Sequence, residues 1–333
     1  RADATQKDVD DAASALTEAQ GQLKTAPSTG SDTETARAAL EAVLDTVPDS
    51  QVAEDGTKYY TAETWNAMQE QIDAANKALE NDQATAETLN AAAQALETVI
   101  AALKTADVPQ PVTPPEGTEW EMVSTAEELE TALASGSGYY KLSNDIEGVF
   151  GAGMQTVTFS GVLDGDGHVV TLQYGDTVND RSYRLVDNIG ATGVIQNLGI
   201  AGKCQSEPFA DKLSGKLINC FSWAETVNGS GGMVGAMNSG SMIVNCYTST
   251  VVDEYSGGLI DYGAKDSYII YSYWQSGAEG SPWYPTSGDT PCLIGSSHKT
   301  ETEMKQADFI ALLNSHRGTT GMEWTLSDNA YPW

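Results

Sequence analysis

The sequence predicts a multidomain chain in which an all-α three-helix bundle is joined by a proline-rich linker to an all-β parallel solenoid. Three observations carry that prediction. Between Gly190 and Ser276 one phrase recurs: Val194-Ile195-Gln196-Asn197-Leu198, Leu217-Ile218-Asn219-Cys220-Phe221, Ile243-Val244-Asn245-Cys246-Tyr247 and, loosened, Ile269-Ile270-Tyr271-Ser272-Tyr273. Asn197 to Asn219 is 22 residues, and both Asn219 to Asn245 and Gly231-Gly232 to Gly257-Gly258 are 26. A period in the twenties with one short β-prone run per repeat marks a solenoid, because each turn buries its face only against the next. The second observation is helical spacing of apolar residues in an Ala-, Glu- and Gln-rich text up to about Ala106. The third is the run of Pro109, Pro111, Pro114 and Pro115 between the two, which cannot continue a helix.

In chain order, Val9, Leu16 and Leu23 recur every seven residues on one helix face, as do Leu89, Leu96 and Leu103. Shifting by 80 maps Ala4-Thr5 onto Ala84-Thr85, Val9 onto Leu89 and Leu16 onto Leu96. Residues 1–28 are therefore expected to be the closing helix of a preceding, truncated helical repeat, and the parent protein is expected to carry a tandem array. Residues 29–106 are expected to form a complete three-helix bundle. Ser31-Asp32-Thr33-Glu34 reads as a capping box opening its first helix, which Pro48 ends. Thr61 caps a helix carrying Trp65, Met68, Ile72, Ala75 and Leu79, and Thr85 caps the last. The run Tyr59-Tyr60-Thr61-Ala62-Glu63-Thr64-Trp65, with Ala74-Ala75, Leu79, Ala84-Thr85 and Leu96, resembles the FIVAR module of Gram-positive surface proteins and secreted glycosidases. That resemblance implies an extracellular, cell-wall-associated setting in which the bundle is a spacer or accessory binder. Trp65, Tyr59 and Tyr60 could be read as a binding patch but are expected to be the bundle's core and entry staple.

Residues 107–118 are expected to run as an extended linker. From 119 to 333 the text turns to Gly, Asn, Ser and β-branched residues. Trp120 to Val123 reads as a strand, and Thr125-Ala126-Glu127-Glu128 as a capping box on a short helix that covers the first edge of the coil. Gly231-Gly232-Met233-Val234-Gly235 and Gly257-Gly258-Leu259-Ile260 resemble the core of GLUG-type β-helix surface domains, although Asp261 stands where the last glycine belongs. The tail, with Met304, Phe309, Leu312-Leu313-Asn314, Trp324 and Tyr331-Pro332, resembles the helix and final aromatic-Pro turn that close such domains. What this resemblance implies is a right-handed parallel β-helix with short capping helices at both ends.

Composition excludes several functions. A formal net charge of −30, from 47 acidic and 17 basic residues, repels nucleic acid and anionic membrane surfaces. No apolar run is long enough to insert into a bilayer. Cys204, Cys220, Cys246 and Cys292 show no C-x-x-C and no Cys/His cluster, so neither metal nor cofactor is expected. Cys220 and Cys246 are in phase one strand spacing apart, about 4.8 Å, so they could stack as a buried thiol ladder or form a bond, and free, buried thiols are the favoured reading. His168, His298 and His316 sit in no protease motif. Asp164-Gly165-Asp166-Gly167-His168 invites an acid–base reading but is ordinary tight-turn chemistry.

Two constellations remain. Tyr255, Tyr262, Trp274, Trp283 and Tyr284 crowd where the repeat decays, and flat rings with a polar tip suit sugar faces and protein hot spots alike. Asp253, Glu254 and Asp261, with Asp266 and, on earlier turns, Asp187 and Asp211, could supply the carboxylate pair of a glycoside hydrolase or polysaccharide lyase, for which a spacing of about 5 Å serves retention. Together these readings predict a monomeric fragment of a bacterial surface adhesin that binds a host glycan or a host secreted protein, immunoglobulin included, through the late aromatics. The rival is the carboxylate-pair enzyme, and a third reading is a purely structural stalk with the late aromatics buried.

Overall fold

The computed structural model describes residues 14–15, 30–151, 156–228, 231–252, 255–275, 280–284, 289–327 and 331–333, with backbone alone at 30, 31 and 54. The helix expected over residues 1–28 lies outside the described residues except for Ser14 and Ala15, which are helical. The rest is a parallel β-solenoid together with helices, and it divides into two units. One holds residues up to Asp49 and Glu63–Lys104; the other holds Ser50–Ala62 and Thr105–Trp333.

The first unit contains helices α1 (Gly30–Leu44), α2 (Ala62–Glu80, entering from its second residue) and α3 (Ala86–Ala101). They share one apolar cluster built from Ala36, Leu40, Met68, Ala75, Leu89 and Leu96, with Trp65 and Ile72 against it. The expected apolar stripe therefore faces inward, Trp65 included. The Thr85 hydroxyl accepts from the Thr88 N–H at 3.2 Å, capping α3 as its sequence requires. Ser31 is itself helical within α1, so it does not cap that helix.

In the second unit three faces wind in register. On face 1, Val194–Gln196, Lys216–Ile218, Met242–Val244 and Tyr268–Ile270 pair in parallel, with Val194 beside Lys216, Lys216 beside Met242 and Met242 beside Tyr268, reproducing the steps of 22 and 26. On face 2, Gly199–Cys204, Phe221–Ser222, Tyr247–Thr248 and Tyr273–Trp274 do the same. Face 3 stacks Val186–Ile189, Ala210–Leu213, Val234–Met237 and Ile260–Gly263. Each face sends alternate residues into one interior cluster, for example Leu163, Ile195, Leu217, Ile243 and Ile269 in one column of face 1. Glycine is needed where turns stack most closely: a Cβ on Gly232 would come within 2.1 Å of the Gly258 carbonyl oxygen.

The corner between faces 1 and 2 sets the register. Asn197, Asn219 and Asn245 all adopt left-handed backbone, φ 49–53°, a conformation that Asn tolerates better than most residues. Their side chains form a ladder. The Asn245 amide donates to Asn219 Oδ1 at 2.8 Å, Asn219 to Asn197 Oδ1 at 3.1 Å, and Asn197 to buried Asp164 at 3.0 Å. Beside it, Cys220 and Cys246 are buried free thiols, the Cys220 N–H donating to Cys246 Sγ at 3.3 Å.

Two faces are covered from outside. On face 1, Val194, Ile218, Val244, Ile270 and Ile294 cluster with Tyr59 and Val108. The cover is a three-stranded antiparallel sheet of Val52–Ala53, Lys58–Tyr60 and Thr105–Asp107. Tyr59 therefore packs over the solenoid, not in the helical core expected for it, because its strand alternates one side chain down onto face 1. Burial, with Tyr268 and Cys292 nearby, pushes its hydroxyl pKa up to about 12. The chain beyond Asp107 continues along this surface, where Gln196 accepts from the Val112 N–H at 2.7 Å and donates to its carbonyl at 2.9 Å. After strand Glu121–Val123 comes helix α4 (Ala126–Ser135), whose Thr125–Glu128 capping box forms as read from the sequence. On face 2, α5 (Glu301–Met304) and α6 (Ala307–His316) lay Met304, Phe309 and Leu313 over a column of Phe221, Tyr247 and Tyr273. The closing helices thus pack along the side of the coil, because that aromatic column points outward there.

Candidate ligand-binding groove

Among the described residues, face 3 carries no such cover. Its register places Asp187, Asp211, Gly235 and Asp261 in one column, each lying between paired neighbours on successive turns. Three of the acidic residues weighed as a catalytic supply are thus aligned, as strand spacing requires. They are also engaged. Asp187 accepts from the Val157 N–H at 2.9 Å, Arg184 lies 3.7 Å from Asp211 and 3.3 Å from buried Glu207, and Asp261 accepts from the Gly257 N–H at 3.4 Å. Asp253 and Glu254 lie outside the described residues. No group of three or more His, Cys, Asp or Glu could hold a metal among the described residues, and none of the described helices is long and apolar enough to cross a membrane.

The late aromatics divide. Tyr255 and Tyr262 are 66% and 54% exposed, and Tyr262 meets Tyr284 edge-to-face at 6.5 Å. Tyr284 is positioned by its N–H, which donates to the Asp261 carbonyl at 3.0 Å. Trp274, expected on the binding surface, is only 3% exposed. It occupies the inward column of face 2 in register with Thr248, and its Nε1–H donates to the Gly280 carbonyl at 2.8 Å, so it offers no platform. Trp283 is partly buried against the interior cluster.

A more concave site lies elsewhere. A cavity of about 270 Å³ opens between the turn Asp166–His168, the Asn197 and Asn219 corners, Phe221 and the tail residues Met322–Thr325 and Trp333. Asp166 and Gly167 have positive φ, 50° and 82°, and the Asp164 carboxylate accepts from the Asp166 N–H at 2.9 Å, so the phrase is the turn its spacing predicts. The turn also presents polar groups. Asp166 pairs with Lys141 at 2.9 Å, and His168 Nδ1 lies 3.2 Å from Asp145.

The opposite wall is locked by the tail. Asn314 accepts from the Trp324 N–H and donates to its carbonyl, both at 2.9 Å, and the ring lies against Phe221 and Tyr247. Tyr247 donates its hydroxyl proton to the Pro332 carbonyl, and Tyr331 donates to Gln275 at 2.6 Å. Trp324 is 4% exposed, yet its indole N–H finds no acceptor among the described residues. Residues 166–168 and 322–333 are too far apart in the chain for spacing to reveal this pocket; the one available signal was the cluster of Trp324, Tyr331 and Trp333 beyond the last repeat.

Comparison of the chain with protein-family models, with curated proteins and with solved structures gave no match.

Proposed function

We propose that this chain is the ligand-recognising part of a bacterial cell-surface adhesin and that its ligand is a glycan. The observation that carries the reading is the cavity beside Trp333, whose 40% exposure offers an aromatic platform backed by buried Phe221 and Trp324, and whose rim carries Asp166, His168 and Glu323. Aromatic faces take the apolar face of a sugar ring, and a few fixed polar groups take its hydroxyls. The walls are held by hydrogen bonds already made, so little ordering is left to be paid on binding.

The rest of the chain fits that role. The helical unit is a FIVAR-like three-helix spacer, and the solenoid is a right-handed, GLUG-like β-helix, capped at its ends, displayed outside a Gram-positive cell wall. The acidic surface suits solvation in that setting and gives nucleic acid no foothold. A host secreted protein, immunoglobulin included, is the alternative partner, for which exposed Tyr255 and Tyr262, with half-buried Tyr284, on and beside face 3 would be the anchors. The hydrolase or lyase reading keeps one observation, the aligned Asp187, Asp211 and Asp261; turnover of a polysaccharide that is lost on Asp261→Asn would establish it.

Glycan-array binding by the intact chain tests the proposal. Retained signals that disappear in Trp333→Ala and persist in Tyr262→Ala are expected. Binding that survives Trp333→Ala and is lost in Tyr262→Ala would move the site to face 3.

A further inference from the structure

We infer that the groove takes an uncharged oligosaccharide of at least two sugar residues, one on each side of Trp333; this rests on the glycan reading above and names the class of glycan. The cavity ends at Trp333, and so does a second, more open depression of about 440 Å³, whose lining includes Asp145, Thr171, Trp223 and Ser327. Trp333 is thus a shared wall.

Its backbone is fixed, the N–H donating to the Thr325 carbonyl at 2.9 Å and the carbonyl accepting from the Thr325 N–H at 2.8 Å. The residue nevertheless stays 40% exposed. An indole held at its root and open at its face, with a hollow on either side, matches two consecutive sugar rings better than one.

Charge selects within that class. Asp166 and Glu323 line the first hollow and Asp145 the second. Of these, Asp166 is neutralised by Lys141 at 2.9 Å. A carboxylate or sulfate on the glycan would approach the exposed carboxylates of Glu323 and Asp145, and like charges repel there, most strongly at low salt. Hydroxyls instead donate to the same carboxylates.

The test is an array of matched pairs, each uncharged di- to tetrasaccharide beside its sialylated or sulfated form, together with the parent monosaccharides and a lysine-rich peptide. At least one uncharged oligosaccharide is expected to bind, with its charged partner and its monosaccharide each at least tenfold weaker. Trp333→Ala abolishes that binding and Trp333→Phe keeps part of it. Thr171→Arg, filling the second depression, reduces the oligosaccharide to monosaccharide affinity. A charged partner that binds as tightly, a monosaccharide that matches the oligosaccharide, or Trp333-dependent capture of the peptide in place of sugar overturns the inference; the first two leave glycan recognition standing. Folded wild-type chain that binds no sugar removes both.

Discussion

Asn245 and Tyr271 stand one turn apart at the same corner of the coil, with the same φ of 49°, and do different work. Asn245 is buried and donates along the ladder to Asn219 and to the Leu313 carbonyl. Tyr271 ends the ladder, and Asn245 Oδ1 is left without a donor among the described residues. In exchange, the Tyr271 ring stacks on His316 at 3.6 Å and its hydroxyl donates to the Gly56 carbonyl at 3.0 Å. The repeat therefore records what the coil does to itself, and each departure records what is packed against it. Gln196 is the same lesson one column over: later turns place Ile218, Val244 and Ile270 there, and only Gln196 has a backbone to hold at Val112.

Breaking the ladder at its centre has the largest expected effect. Asn219→Leu removes the bonds to Asn197, Asn245 and Arg317 and puts a less tolerant residue in left-handed backbone, costing about 3–5 kcal/mol in urea unfolding. Asn219→Gly, which relieves the backbone alone, recovers part of that loss. Next comes Gln196→Ile, which restores the repeat but releases Val112. A cost of about 1–3 kcal/mol is expected, with faster proteolysis within residues 107–118. Tyr271→Asn should stay within about 1 kcal/mol of wild type, because a new rung for Asn245 offsets the lost stack; hydrogen exchange should still quicken across residues 50–60.

The smallest effect is a pH dependence. Burial lowers the His316 pKa below its ordinary 6.5. The unfolded chain thus takes up the proton first as pH falls, so this group's contribution is intact above about 6.5 and is lost below it. His316→Phe keeps a ring against Tyr271 and should flatten the fall in melting temperature between pH 7.5 and pH 5.5 relative to wild type. An equal fall in both proteins would place the titration elsewhere.

Much of the coil was legible because its rule is local. Apolar pairs and an asparagine at three successive corners recur at 22 and 26 residues, and doubled glycines at 26, and burial on both sides leaves those positions little freedom. The strands Val52–Ala53 and Lys58–Tyr60 were not, since each is only two or three residues long within a helical text, and their partner Thr105–Asp107 lies beyond two helices. Trp274 is hard to place from sequence because an aromatic residue after the decayed repeat reads equally as surface or interior, and only register with Thr248 decides. The groove was illegible for a different reason: neither the turn at 166–168 nor the tail at 322–333 has the pocket's chemistry alone.

The most direct measurement follows the indole N–H signals of the tryptophans by NMR while neutral oligosaccharides released from mucin are titrated into the intact chain. If the groove is the glycan site, Trp324 and Trp333 shift together and saturably, while Trp65, Trp120 and Trp283 stay in place. Shifts confined to Trp283, or none at any indole, would contradict it.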